Sequence, residues 1–239
     1  MSAKRVMKIL VVAAHPDDVE LLAAGTLARL VRDGHELWLA HMTVGDKGGQ
    51  QAPEELARVR GAEARRAAAF LGAETFGGVT GDLELYPSAE HAARVRELVG
   101  EVDPDVVFTH GLRDYHPDHR VTGELVLEVV RERSTPVSVV YMDNVAGINF
   151  VPEMFVDVTE TLELKKEMLR CHESQVQWMA AARHTNMEYL IEWLGAWRGL
   201  QCGARYAEGF LPEPAVGDLE PARELLGPYL CEREGSSNG

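Results

Sequence analysis

The sequence predicts a single α/β domain: a mostly parallel sheet with helices on both faces and a helical C-terminal portion. Three observations carry this. Short apolar runs alternate with longer amphipathic ones, the pattern of βαβ units around a parallel sheet. Helix start and stop residues fall at the joints: Pro53, Glu54 and Glu55 suit a first turn, and Gly34 and Gly72 suit helix ends. At 239 residues the chain is long enough for one domain of this kind to bury a large core.

The elements follow in order. "VMKILVVAA" reads as the first strand and leads into a helix over Val19 to Arg32; "ELWLAHMTV" is the second, with a helix over Pro53 to Leu71. "ETFGGV" is a weaker third strand, followed by a helix over Ser88 to Gly100. "DVVFTH" is the fourth, followed by Arg120 to Arg133, and "VSVVYMD" is the fifth. Beyond "NVAGINFVPEMFVDVT" the pattern turns helical, with Thr159 capping a run to about Ala180 and a second helix from Asn186 to about Gly199. The domain is expected over 1–230, and "CEREGSSNG" (231–239) reads as a flexible tail.

Bulk properties exclude several function classes. With 24 basic against 38 acidic residues and a formal charge of −14, the surface lacks the basic footprint of a nucleic-acid binder. The N-terminal "MSAKRVMKILVVAAH" passes from its apolar run into charged residues with no small-residue cleavage site, so it reads as a strand, not a secretory signal. No segment approaches the ~18 apolar residues that span a bilayer, and no membrane anchor is expected. Cys171, Cys202 and Cys231 have no CxxC spacing, which argues against a disulfide framework or a thiolate metal site and fits the cytoplasm.

Two polar clusters interrupt this regular pattern. "HPDDVE" follows the first strand, with His15, Asp17, Asp18 and Glu20; "THGLRDYHPDH" follows the fourth. In a doubly wound, Rossmann-like sheet of order 3-2-1-4-5 these two strands are neighbours, and ligands bind beyond their carboxyl ends. Imidazole and carboxylate together suit a divalent cation such as zinc, whose catalytic sites use three protein ligands and leave one position for water. His15 and Asp18, three apart across a turn stiffened by Pro16, can reach one ion, and His119 or His116 can close the set. Helix capping accounts for a lone Asp pair, but neither for the histidines nor for a doubled HPD. Spacing does not tell Asp17 from Asp18.

These residues carry a resemblance. "AHPDDVE" with "HPDH", supported by "TVGDKGG", "ARVRGAEARRAAAFLGA", "CHESQ" and "RYAEGF", resembles the LmbE-like or PIG-L family of zinc-dependent de-N-acetylases. That family includes N-acetylglucosaminyl-phosphatidylinositol deacetylases and deacetylases of mycothiol and bacillithiol synthesis. The resemblance runs through Phe210 and implies one zinc held by His15, Asp18 and His119. It implies Asp17 as general base, His116 as electrophile or acid with Asp118 beside it, and Arg60 and Asp82 as substrate contacts. The implied reaction is removal of an N-acetyl group from a glucosamine-containing small-molecule conjugate; homo-oligomerisation is left open.

Other residues have plainer readings: His110 as strand-end packing, His172 and Gln175 as contacts near the site rim, Asp46 to Gly49 as a turn or a substrate loop. Rival functions are a metal phosphoesterase, a hydrolase of another amide, a nucleotide-dependent protein and a non-catalytic zinc protein. A nucleotide site calls for a glycine-rich phosphate turn where "AAHPDD" instead places two carboxylates. A phosphoesterase of this kind calls for two ions ~3.5 to 4 Å apart.

Overall fold

The computed structural model describes residues 5–215 and 217–231. One sheet of seven strands has the order β3-β2-β1-β4-β5-β7-β6. β1 (Lys8–Ala13), β2 (Glu36–His41), β3 (Glu74–Phe76), β4 (Val106–His110) and β5 (Ser138–Met142) are parallel, as expected. β7 (Ala207–Pro212) runs antiparallel between β5 and β6 (Met154–Asp157). The sequence reading had no place for these last two strands, which are short and lie inside a stretch dominated by helical periodicity.

β1 shows why helices cover both faces. Ile9, Val11 and Ala13 point into one core with α1 (Asp18–Leu22), α2 (Ala24–Arg32), α6 (Leu162–Arg170) and α8 (Met187–Cys202). Leu10 and Val12 point into the other, with α4 (Ala89–Val102) and α5 (Pro117–Arg131). A strand buried on both sides reads as a continuous apolar run, which "KILVVA" is. α3 (Pro53–Ala69), α7 (Glu173–Arg183) and α9 (Glu220–Leu226) complete the helices, followed by a 3-10 turn at Gly227–Tyr229. Among the described residues no helix is long and apolar enough to cross a membrane.

Several boundaries differ from expectation. The helix expected over Val19 to Arg32 is broken at Ala23. The cause comes from the far end of the chain: the buried carboxylate of Glu208 on β7 accepts the N–H groups of Gly25 and Thr26 at 3.0 and 2.7 Å, satisfying the first turn of α2. A Cβ on Gly25 would lie 2.8 Å from Val158 and 3.1 Å from Glu208, so only glycine admits this approach. The run from Thr159 to Ala180 is likewise two helices, parted at Cys171 and His172. Thr161, not Thr159, precedes the first, and its hydroxyl bonds the Gly25 carbonyl at 2.9 Å.

α5 begins at Pro117, three residues earlier than expected, so "HPDH" occupies its first turn. Gly123 lets α5 lie against the end of β4, where a Cβ would come within 2.3 Å of the His110 carbonyl oxygen. Asn186 and Ser88 cap α8 and α4 as the sequence implies. Of the expected tail, Cys231 is packed, its N–H donating to Phe155 O at 2.8 Å, and 232–239 lie outside the described residues.

Glu208 also pairs with the buried Lys165. Removing one partner of a buried ion pair strands the other. Glu208→Ala should therefore lower unfolding free energy in urea by about 3–5 kcal/mol, whereas Glu208→Gln, which keeps one acceptor for the α2 amides, should cost less. A loss below about 1 kcal/mol for Glu208→Ala would refute this account.

Candidate metal centre

β1 and β4 pair directly, and the two turns that leave them meet. Ala14 continues β1 and donates its N–H to His110 Nε2 at 3.0 Å. The next turn is closed by the His15 N–H, which donates to Asp18 Oδ2 at 2.7 Å. Asp17 occupies the N-cap position of α1, yet its side chain makes no cap hydrogen bond. Capping does not account for its carboxylate.

Three side chains converge. His119 Nε2 lies 3.3 Å from His15 Nδ1 and 3.3 Å from Asp18 Oδ1, and His15 Nδ1 lies 3.4 Å from Asp18 Oδ2. Tetrahedral zinc at about 2.0–2.1 Å from nitrogen and oxygen keeps its ligands about 3.3–3.4 Å apart. The donors suit such an ion in kind; the two Asp18 contacts use different carboxylate oxygens, and among the described residues the sets that bring one donor atom per residue within 4.8 Å of one another are His15, His116 and His119, and Asp18, His110 and His119. The outer nitrogens complete the pattern: His15 Nε2 is 3.1 Å from Asp118 Oδ2, and His119 Nδ1 is 3.0 Å from Asp114 Oδ2. A carboxylate behind each imidazole holds the proton on the outer nitrogen and turns the inner lone pair toward the centre.

The electrostatics follow from burial and charge. Burial opposes a charged His15, but Asp18 and Asp118 outweigh it and raise its pKa to about 10; by the same balance Asp18 and Asp114 raise His119 to about 9. Asp18 is held well below the usual carboxylate range despite its burial, by the facing His119, His110 and His15. His116 goes the other way. Burial, then the charge on His119 and His15, lowers it to about 4, so it is a neutral imidazole at pH 7.

The turns bring His15, Asp18, His116, Asp118 and His119 together, and the structure separates the two aspartates that spacing could not. Asp18 faces the imidazoles; Asp17 Oδ1 instead accepts from Arg60 Nη2 at 2.7 Å. Arg60 and Asp82, which the resemblance sets against substrate, are both buried and hydrogen-bonded within the protein. Arg60 is 3% exposed and directed at Asp17 and the carbonyls of Gly45 and Lys47. Asp82 is 5% exposed, its carboxylate accepting the N–H groups of Gly45 and Lys47 at 3.0 and 3.2 Å. Both lie among the buried polar groups of the site, as Asp17 and Asp18 do at 5% and 4% exposure. Asp46 to Gly49 is accordingly a stitched loop, with Asp46 Oδ1 accepting from Asp82 N at 2.8 Å.

Asp118 is 1% exposed, its Oδ2 shared between His15 and the N–H of Leu83. His110 does pack, stacked on His119 with ring centroids 3.9 Å apart, but its Nε2 also lies 3.1 Å from Asp18 Oδ2. Gln175 faces the Gly48 backbone. His172 is fully buried beside Glu20, at 3.2 Å. Sequence reasoning missed Asp114, although a second acidic residue five before His119 in "RDYHPDH" was the available signal.

The chain is similar to known proteins in sequence and in fold. Residues 10–130 match the PIG-L family model, described as GlcNAc-PI de-N-acetylase. The chain is 28% identical over 232 residues to diacetylchitobiose deacetylase of Thermococcus kodakarensis, covering 88% of this chain and 85% of that protein. A solved N,N'-diacetylchitobiose deacetylase from Pyrococcus horikoshii superposes with a TM-score of 0.77 at 26% identity, over 88% of this chain and 85% of that one. GalB, the 4-carboxy-2-hydroxymuconate hydratase of Pseudomonas putida, shares the fold at TM-score 0.75 and 23% identity, over 89% of this chain and 99% of that one. With the family model matching just over half of its residues and the paired HPD turns converging on one set of donors, the chain belongs to the PIG-L family of GlcNAc-PI de-N-acetylases.

Proposed function

We propose that this protein is a zinc-dependent N-deacetylase that hydrolyses the acetamide of a soluble N-acetylglucosamine conjugate. The observation that carries the reading is the triangle of His15 Nδ1, Asp18 and His119 Nε2, with Asp118 and Asp114 behind the imidazoles. The activities of the two diacetylchitobiose deacetylases support the substrate class. His119 turns its other nitrogen to Asp114 and so offers one nitrogen to one ion, which favours amide hydrolysis over two-ion phosphoryl chemistry.

An ion held there supplies Lewis acidity toward the amide carbonyl and makes water more acidic. The chain does the rest. Arg60 holds Asp17 at Oδ1, leaving Oδ2 to accept the proton of the attacking water and return it to the departing amine. His116 stands half-buried, its ring 4.7 Å from that of His15 and 4.8 Å from that of His119. As a neutral imidazole it donates a hydrogen bond to the carbonyl oxygen as negative charge develops. Asp118, Asp114 and Arg60 are positioning residues, which hold the groups that touch ion and substrate.

Acetate release from N,N'-diacetylchitobiose and other N-acetylglucosamine conjugates by the zinc-loaded protein tests the reading directly. Release of acetate supports it. Release from none of them, alongside cleavage of a peptide amide or hydration of an unsaturated dicarboxylate, overturns it.

The roles make separable predictions. Asp18→Ala and His119→Ala should each lose most bound zinc by elemental analysis, while Asp17→Asn should keep its zinc and lose about 10²- to 10⁴-fold in kcat. Full zinc in both Asp18→Ala and His119→Ala would end the ligand assignment. Because Arg60 reaches Asp17, Arg60→Ala should lower kcat more than it raises KM; the opposite split would place Arg60 against substrate after all.

Zinc binding should also depend on pH with a definite sign. The cation takes up neutral imidazoles, whereas at pH 7 protons sit on groups whose pKa values are raised to about 10 and about 9. Binding must displace them, so apparent affinity should rise about tenfold per pH unit for each proton released. Chelator-competition titrations between pH 6 and pH 8 should show this climb, accompanied by proton release into the buffer. A flat affinity would contradict it.

A further inference from the structure

Far from the crevice, two cysteines meet. Cys202 closes α8, and Cys231 follows the 3-10 turn, 29 positions later; their sulfurs are 2.7 Å apart. Unbonded heavy atoms rest about 3.5–4 Å apart and bonded sulfurs about 2.05 Å. The surroundings hold the two sulfurs together. Both lie in a small apolar cluster with Phe155 and Ala207. The Cys231 N–H donates to Phe155 O at 2.8 Å, and Leu230 bridges antiparallel to Val156, so the segment is fixed along β6. A cavity of about 780 Å³, lined by both cysteines with Arg29, Asp157, Gln201 and Pro228, gives a small reagent access.

We propose that Cys202 and Cys231 are a redox-responsive pair whose disulfide locks the C-terminal segment onto the sheet-edge strand β6. The oxidant is a low-molecular-weight disulfide such as glutathione disulfide. One protein thiolate attacks a sulfur of it, forming a mixed disulfide and expelling one glutathione thiolate. The second protein thiolate attacks the protein sulfur of that mixed disulfide, forming the Cys202–Cys231 bond and expelling the other. The protein loses two electrons and two protons; the oxidant takes up both and leaves as two thiols. Burial and the adjacent Cys202 thiol push Cys231 up to about 12, so exchange quickens as pH rises. The closed loop contains β7 and α9. Cys171 ends α6 on another part of the surface, its sulfur toward the Glu167 carbonyl, and takes no part.

The test uses the purified full chain in stepped ratios of glutathione to glutathione disulfide, followed by acid quench, alkylation, intact mass, peptide mapping and thermal unfolding. The expected result is a loss of about 2 Da, alkylation at Cys171 alone and a Cys202–Cys231 cross-linked peptide. Tm should rise by on the order of 5 °C. Cys171→Ser should behave the same way, and Cys231→Ser should show neither the mass loss nor the Tm rise. Alkylation of all three cysteines at every ratio, a persistent glutathione adduct on Cys202 or Cys231, or a cross-link through Cys171 would each overturn the proposal. Because the unaltered chain gives the primary readout, an unstable variant does not obscure it.

Discussion

The crevice depends on the register between β1 and β4. Ile9 stands beside Val106, Leu10 beside Val107 and Val11 beside Phe108. Past the paired residues the two chains are tied by side chains: Thr109 Oγ1 donates to Val12 O at 2.9 Å, and His110 Nε2 accepts from Ala14 N. A slip of one residue would turn every apolar side chain of β1 to the wrong face and carry His110 away from Ala14 and Asp18. Both HPD turns start from these strand ends. Their relative position therefore follows from core packing, where alternation on a doubly buried strand leaves little freedom.

On that frame, the charge arrangement serves to bury carboxylates usefully. A buried, unpaired carboxylate costs several kcal/mol. Asp18 offsets that cost against His15 and His119, while Asp118 and Asp114 take the outer sides of these two rings. Asp17 follows the same logic with a permanent cation, Arg60. Four acidic groups meet at the two turns: Arg60 faces Asp17, and His15 and His119 each stand between Asp18 and one of the other two. Two of those partners reach well beyond the motifs: Asp118 also ties down the Leu83 N–H, and Arg60 also holds the carbonyls of the 45–47 loop.

What was legible in the sequence is what periodicity and adjacency encode. The five parallel strands, their order and the convergence of "HPDD" with "HPDH" follow from local patterns plus one topological rule. The helix break at Ala23 does not, because Glu208, which causes it, lies more than 180 positions away. Nor could the direction of Arg60 be read: α3 carries several arginines at similar spacing, and only the tertiary structure shows that this one turns inward. The strands β6 and β7 escaped for a related reason. Their residues are apolar in runs too short to separate from the helical segments around them.

The surrounding loops expose Leu83, Tyr115, Ile148 and Val151 beside the polar Lys47, Glu84, Arg113 and Asn149. Leu83 adopts φ 63°, a left-handed conformation that costs a leucine energy, and its N–H is fixed by the same Asp118 oxygen that faces His15. The loop edge is thereby coupled to an imidazole of the centre. A fold shared by deacetylases and a hydratase makes sense on this basis. In the proposed mechanism, water activation uses the buried donors and a carboxylate that takes its proton, whereas the choice of electrophile falls to groups that face outward. Evolution can then change what enters the crevice by altering the loops after β3 and β5, which carry Leu83, Ile148 and Val151, without disturbing the strand register that holds the donors in place.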